Sequence, residues 1–194
     1  MGKREAIARF VAGSAVWLVL AAVIAEQFPE DVGRSVAAVA VLLLAAFAWA
    51  TFNPNAALFG KVIGSGETPN QKVALTFDDG PTAEYTPGVL DQLREAGVRA
   101  TFFCLGRHVR AHPELARRIV DEGHELASHG DDHSILAVAG PKVIARQLRG
   151  AEAAFKAAVG APTAALFRTP HGFRSPFVVR VARQLGYRVV GWRG

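Results

Sequence analysis

Hydrophobic residues are distributed differently before and after residue 53. Residues 7–25 contain a single charged residue, Arg9, and residues 36–52 contain none. About 20 apolar residues cross the hydrocarbon core of a bilayer as a helix, and both runs approach that length. The second run also has no polar face that a helix in a protein core could turn toward water. We therefore predict one or two transmembrane helices within residues 1–52, at about 7–25 and 36–52.

The N-terminal run leaves two questions open. Because it follows Lys3 and Arg4, it also fits a cleaved signal peptide. The basic start favours a cytoplasmic N-terminus, so two spans would return the following domain to the cytoplasm, whereas one span would leave it outside. Trp49 and Phe52, near the end of the second run, suit a membrane–water interface. The predicted location is the cell membrane in both cases.

After residue 53 the pattern becomes that of a folded domain. Residues 53–70 hold scattered proline and glycine and are predicted to be a linker, and residues 71–194 form the domain. Proline in the first turn and glycine after the last turn mark four helices, with Thr86 and Ser175 as predicted N-caps. These helices begin near Pro87, Pro113, Pro141 and Pro176 and end near Gly97, Gly123, Gly160 and Gly186. The apolar runs between them predict strands at 72–77, 98–105, 124–128, 164–167 and 187–192. Alternating strands and helices indicate an α/β fold with a parallel sheet or barrel.

Charge and cysteine content narrow the range of functions. The net charge is +5, but no basic run is interleaved with aromatic residues, so no nucleic-acid partner is expected. Cys104 is the single cysteine, which excludes a disulfide within the chain. Its apolar neighbours predict a small buried side chain rather than a reactive thiol.

Polar residues with metal-binding and acid–base chemistry follow three of the predicted strands. Asp78 and Asp79 end the first strand, His129 follows the third, and Arg168 follows the fourth. Since the carboxyl ends of parallel strands share one rim, these residues are expected to converge. His133 lies four residues after His129, a spacing at which both imidazoles can face one metal ion.

A catalytic arrangement follows from this set. Asp79 could supply the third ligand, although Asp131 or Asp132 could replace it. Two imidazoles and one carboxylate leave an open position for a water molecule, whose pKa a divalent metal lowers toward 7. Asp78 could take the proton of that water, and Arg168 could hold Asp78 ionised and oriented.

Three ordered motifs resemble the NodB-type polysaccharide deacetylases, carbohydrate esterase family four. They are Thr-Phe-Asp-Asp-Gly at 76–80, His-Gly-Asp-Asp-His at 129–133 and Arg-Thr-Pro-His-Gly at 168–172. The resemblance covers residues 71–194 and implies a distorted (β/α) barrel that removes N- or O-acetyl groups from a glycan with metal-activated water. It implies Asp78 as base, Arg168 as the residue that orients it, and a divalent metal, usually zinc, as cofactor. The implied metal ligands are Asp79, His129 and His133.

The resemblance also implies a substrate and oxyanion side of the site. Pro170 and His171 would lie there, with the backbone N–H of His171 stabilising the oxyanion. Trp192 is expected to lie in the core or to form a pocket wall, and stacking on a sugar ring is a less favoured role. The expected partners are an acetylated glycan and the membrane, and the family places such a domain outside the cytoplasm.

The chain departs from the family pattern at several positions. Gly130 stands where Ser or Thr is usual, and His171 stands where Tyr is more common. The chain ends where a fourth motif begins, so the fifth motif, which holds the histidine that protonates the leaving amine, is absent. We therefore expect an incomplete barrel of about five βα units in a C-terminally truncated chain. His171 is a hypothetical replacement for the missing acid.

Three other functions compete with deacetylation. The first is an inactive, membrane-anchored glycan-binding domain, because the C-terminal motifs are missing. The second is a non-haem iron enzyme, since two histidines and a carboxylate also describe its iron site. The third is a phosphohydrolase built on the Asp78–Asp79 pair. Neither of the two rival enzymes accounts for the Arg-Thr-Pro-His-Gly segment.

Overall fold

A five-stranded parallel sheet forms the centre of the domain, and the order of the strands in the sheet is their order in the chain. The computed structural model describes residues 15–23, 30–53, 56, 58–65, 73–160 and 163–191. The strands are β1 (Thr76–Asp78), β2 (Thr101–Cys104), β3 (Glu125–Ser128), β4 (Leu166–Phe167) and β5 (Arg188–Val189). Each lies within or next to a predicted strand but is shorter. The expected α/β fold with five parallel strands is confirmed.

Helices connect the strands and precede the domain. Residues 15–23 are helical (α1). The remaining helices are α2 (Glu30–Phe52), α3 (Thr86–Ala96), α4 (Gly106–Ala111), α5 (Pro113–Asp121), α6 (Pro141–Val159) and α7 (Pro176–Gln184). The four helices predicted from proline and glycine correspond to α3, α5, α6 and α7, whereas the sequence did not predict α4.

The two predicted N-caps have different outcomes. Ser175 caps α7, and its hydroxyl accepts a hydrogen bond from Val178 N at 3.4 Å. The prediction for Thr86 is wrong because Tyr85 occupies the N-cap position and Thr86 is the first helical residue. The Thr86 hydroxyl instead accepts from Thr82 N at 2.8 Å, which stabilises the turn before the helix.

Two hydrophobic clusters stabilise the sheet. One surrounds Phe102 and Cys104 of β2 and includes Leu90, Ile119 and Phe155 from three helices. The other surrounds Phe167 and Val189, with Leu136, Ile144, Leu148 and Val178 around them. Cys104 is fully buried, and desolvation raises the pKa of its thiol. It is a packing residue, as the sequence predicted.

Part of the predicted linker packs on the domain. Ile63 forms a parallel bridge with Val190, with Ile63 N donating to Val189 O at 2.9 Å. Val62 contacts the second hydrophobic cluster. Residues 62–63 therefore cover the edge of β5 that the other strands leave open.

Among the described residues, one helix is long and apolar enough to cross a membrane. This helix, α2, has 23 residues and a mean hydropathy of 2.2 in its most apolar window, of which 11% is buried. It begins six residues before the predicted span. The first predicted span is described only over 15–23, so its ends lie outside the described residues.

A close approach between helices α4 and α6 requires glycine. A Cβ atom at Gly106 would lie 2.7 Å from the backbone Cα of Ala151 and would also overlap the Asp131 carboxylate. Gly150, on the facing helix, is similarly close to the Asp131 carboxylate, with a Cβ position 3.0 Å from its Cγ. The two glycines therefore allow α4 and α6 to pack on either side of Asp131.

We expect Gly106→Ala to destabilise the domain by about 2 kcal/mol, because overpacking forces the backbone apart. Gly88→Ala is the matched control, since nothing lies within 4 Å of its Cβ position in α3. In that exposed helical position alanine should stabilise by about 0.5–1 kcal/mol. Thermal unfolding of the detergent-solubilised chain measures both changes. Equal effects of the two substitutions would contradict the close-approach explanation.

His124 is a structural residue of the hydrophobic core. It is buried, its Nδ1 accepts a hydrogen bond from Ala100 N at 3.2 Å, and its ring lies 5.5 Å from that of Phe102. Only the neutral imidazole can accept this bond at Nδ1. Desolvation lowers the pKa of His124 accordingly.

Measuring the free energy of unfolding at different pH values should reveal the contribution of His124 to stability. Its folded pKa lies below the unfolded value of about 6.5, so the unfolded chain binds more protons below that pH. The free energy of unfolding should therefore fall as the pH falls from 7 to 5, by up to about 1.4 kcal/mol per unit from this group. His124→Gln keeps an acceptor but cannot titrate, so its pH dependence should be shallower. Identical slopes would exclude His124 as a contributor.

Candidate active site

Four candidate residues meet at the carboxyl-terminal rim of the sheet. Asp78 is the last residue of β1, and Asp79 follows it. His129 follows β3, and Arg168 follows β4. Because β1, β2, β3 and β4 are parallel and adjacent, their ends deliver these side chains to one side of the domain.

Asp79, His129 and His133 form a compact group of metal-binding side chains. One potential ligand atom from each residue lies within 4.8 Å of the others. Asp79 Oδ1 is 3.5 Å from His129 Nε2 and 3.1 Å from His133 Nε2. The imidazole rings of the two histidines have centroids 5.3 Å apart. The structure therefore brings together the three residues that the sequence selected.

The His129 ring is oriented by the strand beside it. Its Nδ1 donates to the carbonyl oxygen of Arg168 at 2.8 Å, which leaves Nε2 facing Asp79. A backbone carbonyl can only accept, so the hydrogen of the neutral ring is on Nδ1. Burial lowers the pKa of His129. Both effects favour a neutral ring with a free Nε2 lone pair, which is the form that binds metal ions.

Arg168 links Asp78 to the sheet from below the rim. It is 3% exposed, and its Nη1 donates to Asp78 Oδ1 and to Thr76 Oγ1, both at 2.8 Å. Its Nη2 donates to Gly191 O at 3.0 Å, and its guanidinium lies 4.1 Å from the Phe103 ring centroid. One carboxylate oxygen of Asp78 is therefore fixed by a charged hydrogen bond.

Unusual backbone conformations concentrate at this site. Within the described part of the chain, three residues other than glycine have positive φ: Asp79 at 68°, His133 at 64° and His171 at 59°. Such conformations cost free energy for residues with a Cβ atom and are enriched at functional sites. All three residues had been selected from the sequence as candidates.

The expected substrate side is described in part. The His171 ring is exposed, and its centroid lies 4.3 Å from that of His133 in an edge-to-face arrangement. Pro170, the preceding residue, is buried. Trp192 lies outside the described residues. His171 therefore lies beside the metal-binding group, as the hypothesis of a proton donor there requires.

Two residues that support the site were missed by the sequence analysis. Gln147 Oε1 accepts hydrogen bonds from Asp131 N at 2.9 Å and Asp132 N at 3.1 Å, so it fixes the loop between the two histidines. His108 Nδ1 donates to Asp79 O at 2.6 Å, so it holds the backbone of the proposed carboxylate ligand. Gln147 carried a usable signal because it is a polar residue on the apolar face of α6, next to Leu148. His108 carried none, since α4 itself was not predicted.

The loop acids do not take the place of Asp79. Asp131 pairs with Arg110, with Nη1 and Oδ1 2.8 Å apart. The Asp132 carboxylate accepts from Ser134 N at 3.0 Å. Gly130 has a φ of 85°, and its N–H donates to Ser128 Oγ at 3.3 Å. A hydroxyl from the preceding strand therefore binds the loop at the position where the family usually has its own Ser or Thr.

Comparison with known proteins identifies the family of the domain. The polysaccharide deacetylase family matches residues 65–190. A peptidoglycan-N-acetylglucosamine deacetylase of Bacillus cereus is 36% identical over 128 residues, covering 65% of this chain and 59% of the relative. A chitooligosaccharide deacetylase of Sinorhizobium fredii is 39% identical over 120 residues, covering 62% of this chain and 56% of the relative.

A solved structure shares the fold as well. Bacillus subtilis PdaA, a family 4 carbohydrate esterase, superposes with a TM-score of 0.64 at 33% identity, covering 68% of this chain and 56% of that protein. The chain thus spans less than two thirds of the length of these relatives. Over the region that they share, the chain belongs to the polysaccharide deacetylase family, with the NodB-type fold of carbohydrate esterase family four.

Proposed function

We propose that this protein is a metal-dependent hydrolase that removes acetyl groups from an acetylated glycan. The observation that carries the proposal is the group formed by Asp79, His129 and His133 beside the Asp78–Arg168 pair. A ligand group and an adjacent fixed carboxylate are the two components that hydrolysis by an activated water requires.

The relatives support a glycan that contains N-acetylated glucosamine. One is named for peptidoglycan N-acetylglucosamine and the other for chitooligosaccharides. These polymers share the N-acetylglucosamine unit. We infer that the substrate of this chain carries the same acetylated amino sugar, and that C–N bond hydrolysis is its reaction.

The ligand group fits a small divalent ion such as zinc. A tetrahedral zinc ion with bonds of about 2.0–2.1 Å places its ligand atoms about 3.3 Å apart. The two distances from Asp79 Oδ1, 3.1 and 3.5 Å, lie on either side of that value. Nitrogen and carboxylate ligands together also match zinc chemistry. Asp79, His129 and His133 would therefore hold the ion.

The chain's own residues then divide the work of hydrolysis. A bound divalent ion would supply Lewis-acid polarisation and lower the pKa of a water molecule. Asp78 would accept the proton of the attacking water, and the hydrogen bond from Arg168 orients that carboxylate. As the water oxygen bonds to the acetyl carbon, the backbone N–H of His171 would stabilise the oxyanion. Cleavage of the C–N bond releases acetate and the amine, which takes a proton from the His171 ring.

The apolar helix suggests how the enzyme is located. We infer that α2 anchors the chain in the cell membrane and that the domain lies on the extracytoplasmic side, where peptidoglycan and chitin-like glycans occur. The supporting observation is that α2 is long, apolar and mostly exposed in the described structure.

Metal binding can be tested without measuring activity. The chain should bind one zinc ion, and His133→Ala should weaken binding by at least about 100-fold, since losing only a residue that hydrogen-bonds a ligand already costs about 10–100-fold. Zinc at 100 times its dissociation constant stabilises the folded chain by about 2.7 kcal/mol, so chelation should lower the melting temperature. His112→Ala, which changes the N-cap of α5, is the control that should keep zinc binding. Equal zinc affinity in both variants would refute the ligand assignment.

The reaction can be tested by measuring acetate release from acetylated chitooligomers. Asp78→Asn should lower kcat by about 10²–10⁴-fold, the range for loss of a general base, with little change in zinc content. Asp121→Asn, at the exposed end of α5, is the matched control and should retain activity. Oligomer binding without acetate release by the unsubstituted chain would instead indicate a glycan-binding domain.

The proton-donor hypothesis needs its own substitution. His171→Gln preserves the backbone N–H but removes the titrating ring, so kcat should fall and the basic limb of the pH–rate profile should be lost. An unchanged rate would exclude the His171 ring as the donor. The same result would not contradict the roles proposed for the metal ligands and for Asp78.

A further inference from the structure

The C-terminal end of α2 is bound to the loop that carries His171. The rings of Phe52 and Phe173 have centroids 5.1 Å apart in an edge-to-face contact. Arg174 N donates to Thr51 O at 3.1 Å, and Arg174 Nη2 donates to Asn53 O. Arg174 is 1% exposed, so a buried residue of the loop binds the last turn of α2 and the residue that follows it. The helix end and the loop therefore form one packed unit.

A short series of ring contacts connects α2 to the metal-binding group. Phe173 lies 5.9 Å from His171 between ring centroids, and His171 lies 4.3 Å from His133. Phe52 is thus three ring contacts away from a proposed metal ligand. Since His171 and His133 lie on the carboxyl-terminal rim of the sheet, the end of α2 lies on that rim too.

The rest of α2 is left uncovered by the domain. Its buried residues are Gly33, Ala50 and Thr51, and the last two belong to the final turn. Val39, Leu42 and Leu43 are each more than half exposed. The 18 residues of the helix after Arg34 carry no charge and would extend about 27 Å, close to the thickness of a hydrocarbon core. Trp49 and Phe52 near its end suit the interface.

These contacts constrain where the site can operate. If α2 spans the bilayer, the interface lies at its last turn, because the apolar surface ends there. The loop 170–174 packs on that turn, so the rim of the domain faces the headgroups rather than the solvent. Sugars held near the bilayer surface can reach such a rim, whereas a polymer far from the surface cannot.

We propose that the substrate is an acetylated amino sugar attached to a membrane lipid, which the enzyme deacetylates at the bilayer surface. This inference rests on the proposed deacetylase function and specifies the form in which the glycan is presented. A free or wall-attached polymer is the alternative that the experiments distinguish.

The orientation of the rim can be measured without any activity. Helix α3 runs away from the rim, so Tyr85 at its start and Glu95 near its end lie about 15 Å apart along its axis. Both are exposed, whereas Cys104 is buried and would not react with a label. The full-length chain carrying either Tyr85→Cys or Glu95→Cys is labelled with a fluorophore and reconstituted in vesicles. Quenchers attached to the lipid headgroups should quench the label at position 85 at least about twofold more than the label at position 95. Equal quenching, or stronger quenching at 95, would overturn the proposal.

The form of the substrate can be tested in the same vesicles. N-acetylglucosamine is linked to a lipid either directly or through a long flexible polyethylene glycol spacer, at equal surface density. Acetate release should fall by about fivefold with the long spacer, because the spacer dilutes the sugar away from the surface. A rate that is unaffected or raised by the spacer would overturn the proposal.

Two further arms separate this inference from the proposed function. One outcome is that the chain hydrolyses soluble chitooligomers in detergent and shows no spacer effect in vesicles. That result would support the proposed deacetylase function and reject the lipid-attached substrate. If the chain hydrolyses neither substrate, both proposals are rejected.

The contact between α2 and the loop can be tested by substitution. Phe52→Ala should reduce the spacer effect while leaving turnover of soluble oligomers unchanged. Phe47→Ala, which loses a ring contact to Phe59 but none to the loop, is its matched control and should preserve the effect.

Discussion

The site depends on one buried cation, Arg168. Its guanidinium bonds Asp78 and Thr76 of β1 as well as the carbonyl of Gly191 after β5, so it joins the two outermost strands. β1 and β5 are separated by three strands in the sheet, and one side chain can reach both only if the sheet is strongly curved. Leaving a buried charge without its partner costs about 3–5 kcal/mol. The curvature of the sheet and the position of Asp78 are therefore maintained by the same interaction.

The backbone of Arg168 connects this interaction to the metal-binding group. Its carbonyl oxygen accepts the hydrogen of His129 Nδ1, and its N–H donates to Ser128 O at 3.0 Å. The guanidinium and the carbonyl of one residue thus orient the proposed base and a proposed ligand. Gln147 and His108 hold the two loops that carry the remaining ligands. These bonds stabilise the positive φ angles of Asp79 and His133, which would be unfavourable in isolated loops.

The sequence predicted where the proposed site residues meet, but it missed several short elements and contacts around them. Asp78, Asp79, His129, His133 and Arg168 could be placed because strand ends in a parallel sheet share a rim, whatever the exact strand lengths. Helix α4 could not be predicted, since six residues give too short a periodic signal and proline at 113 marks only the next helix. The bridge at Ile63 was missed for a related reason, because a single paired residue has no period. The interactions of His108 and Gln147 with the site follow from tertiary packing, which no local pattern encodes.

The segment 168–175 combines functions that are usually separate along a chain. Arg168 orients the proposed base, His171 lies over the proposed ligands, Arg174 binds the end of α2, and Ser175 caps α7. Buried hydrogen bonds fix this segment at both ends, through the Arg168 guanidinium and the Arg174 backbone and side chain. His171 lies between these two fixed ends, with two residues separating it from Arg168 and two from Arg174. The proposed membrane anchor and the proposed site are therefore connected through a single loop of the sheet rim.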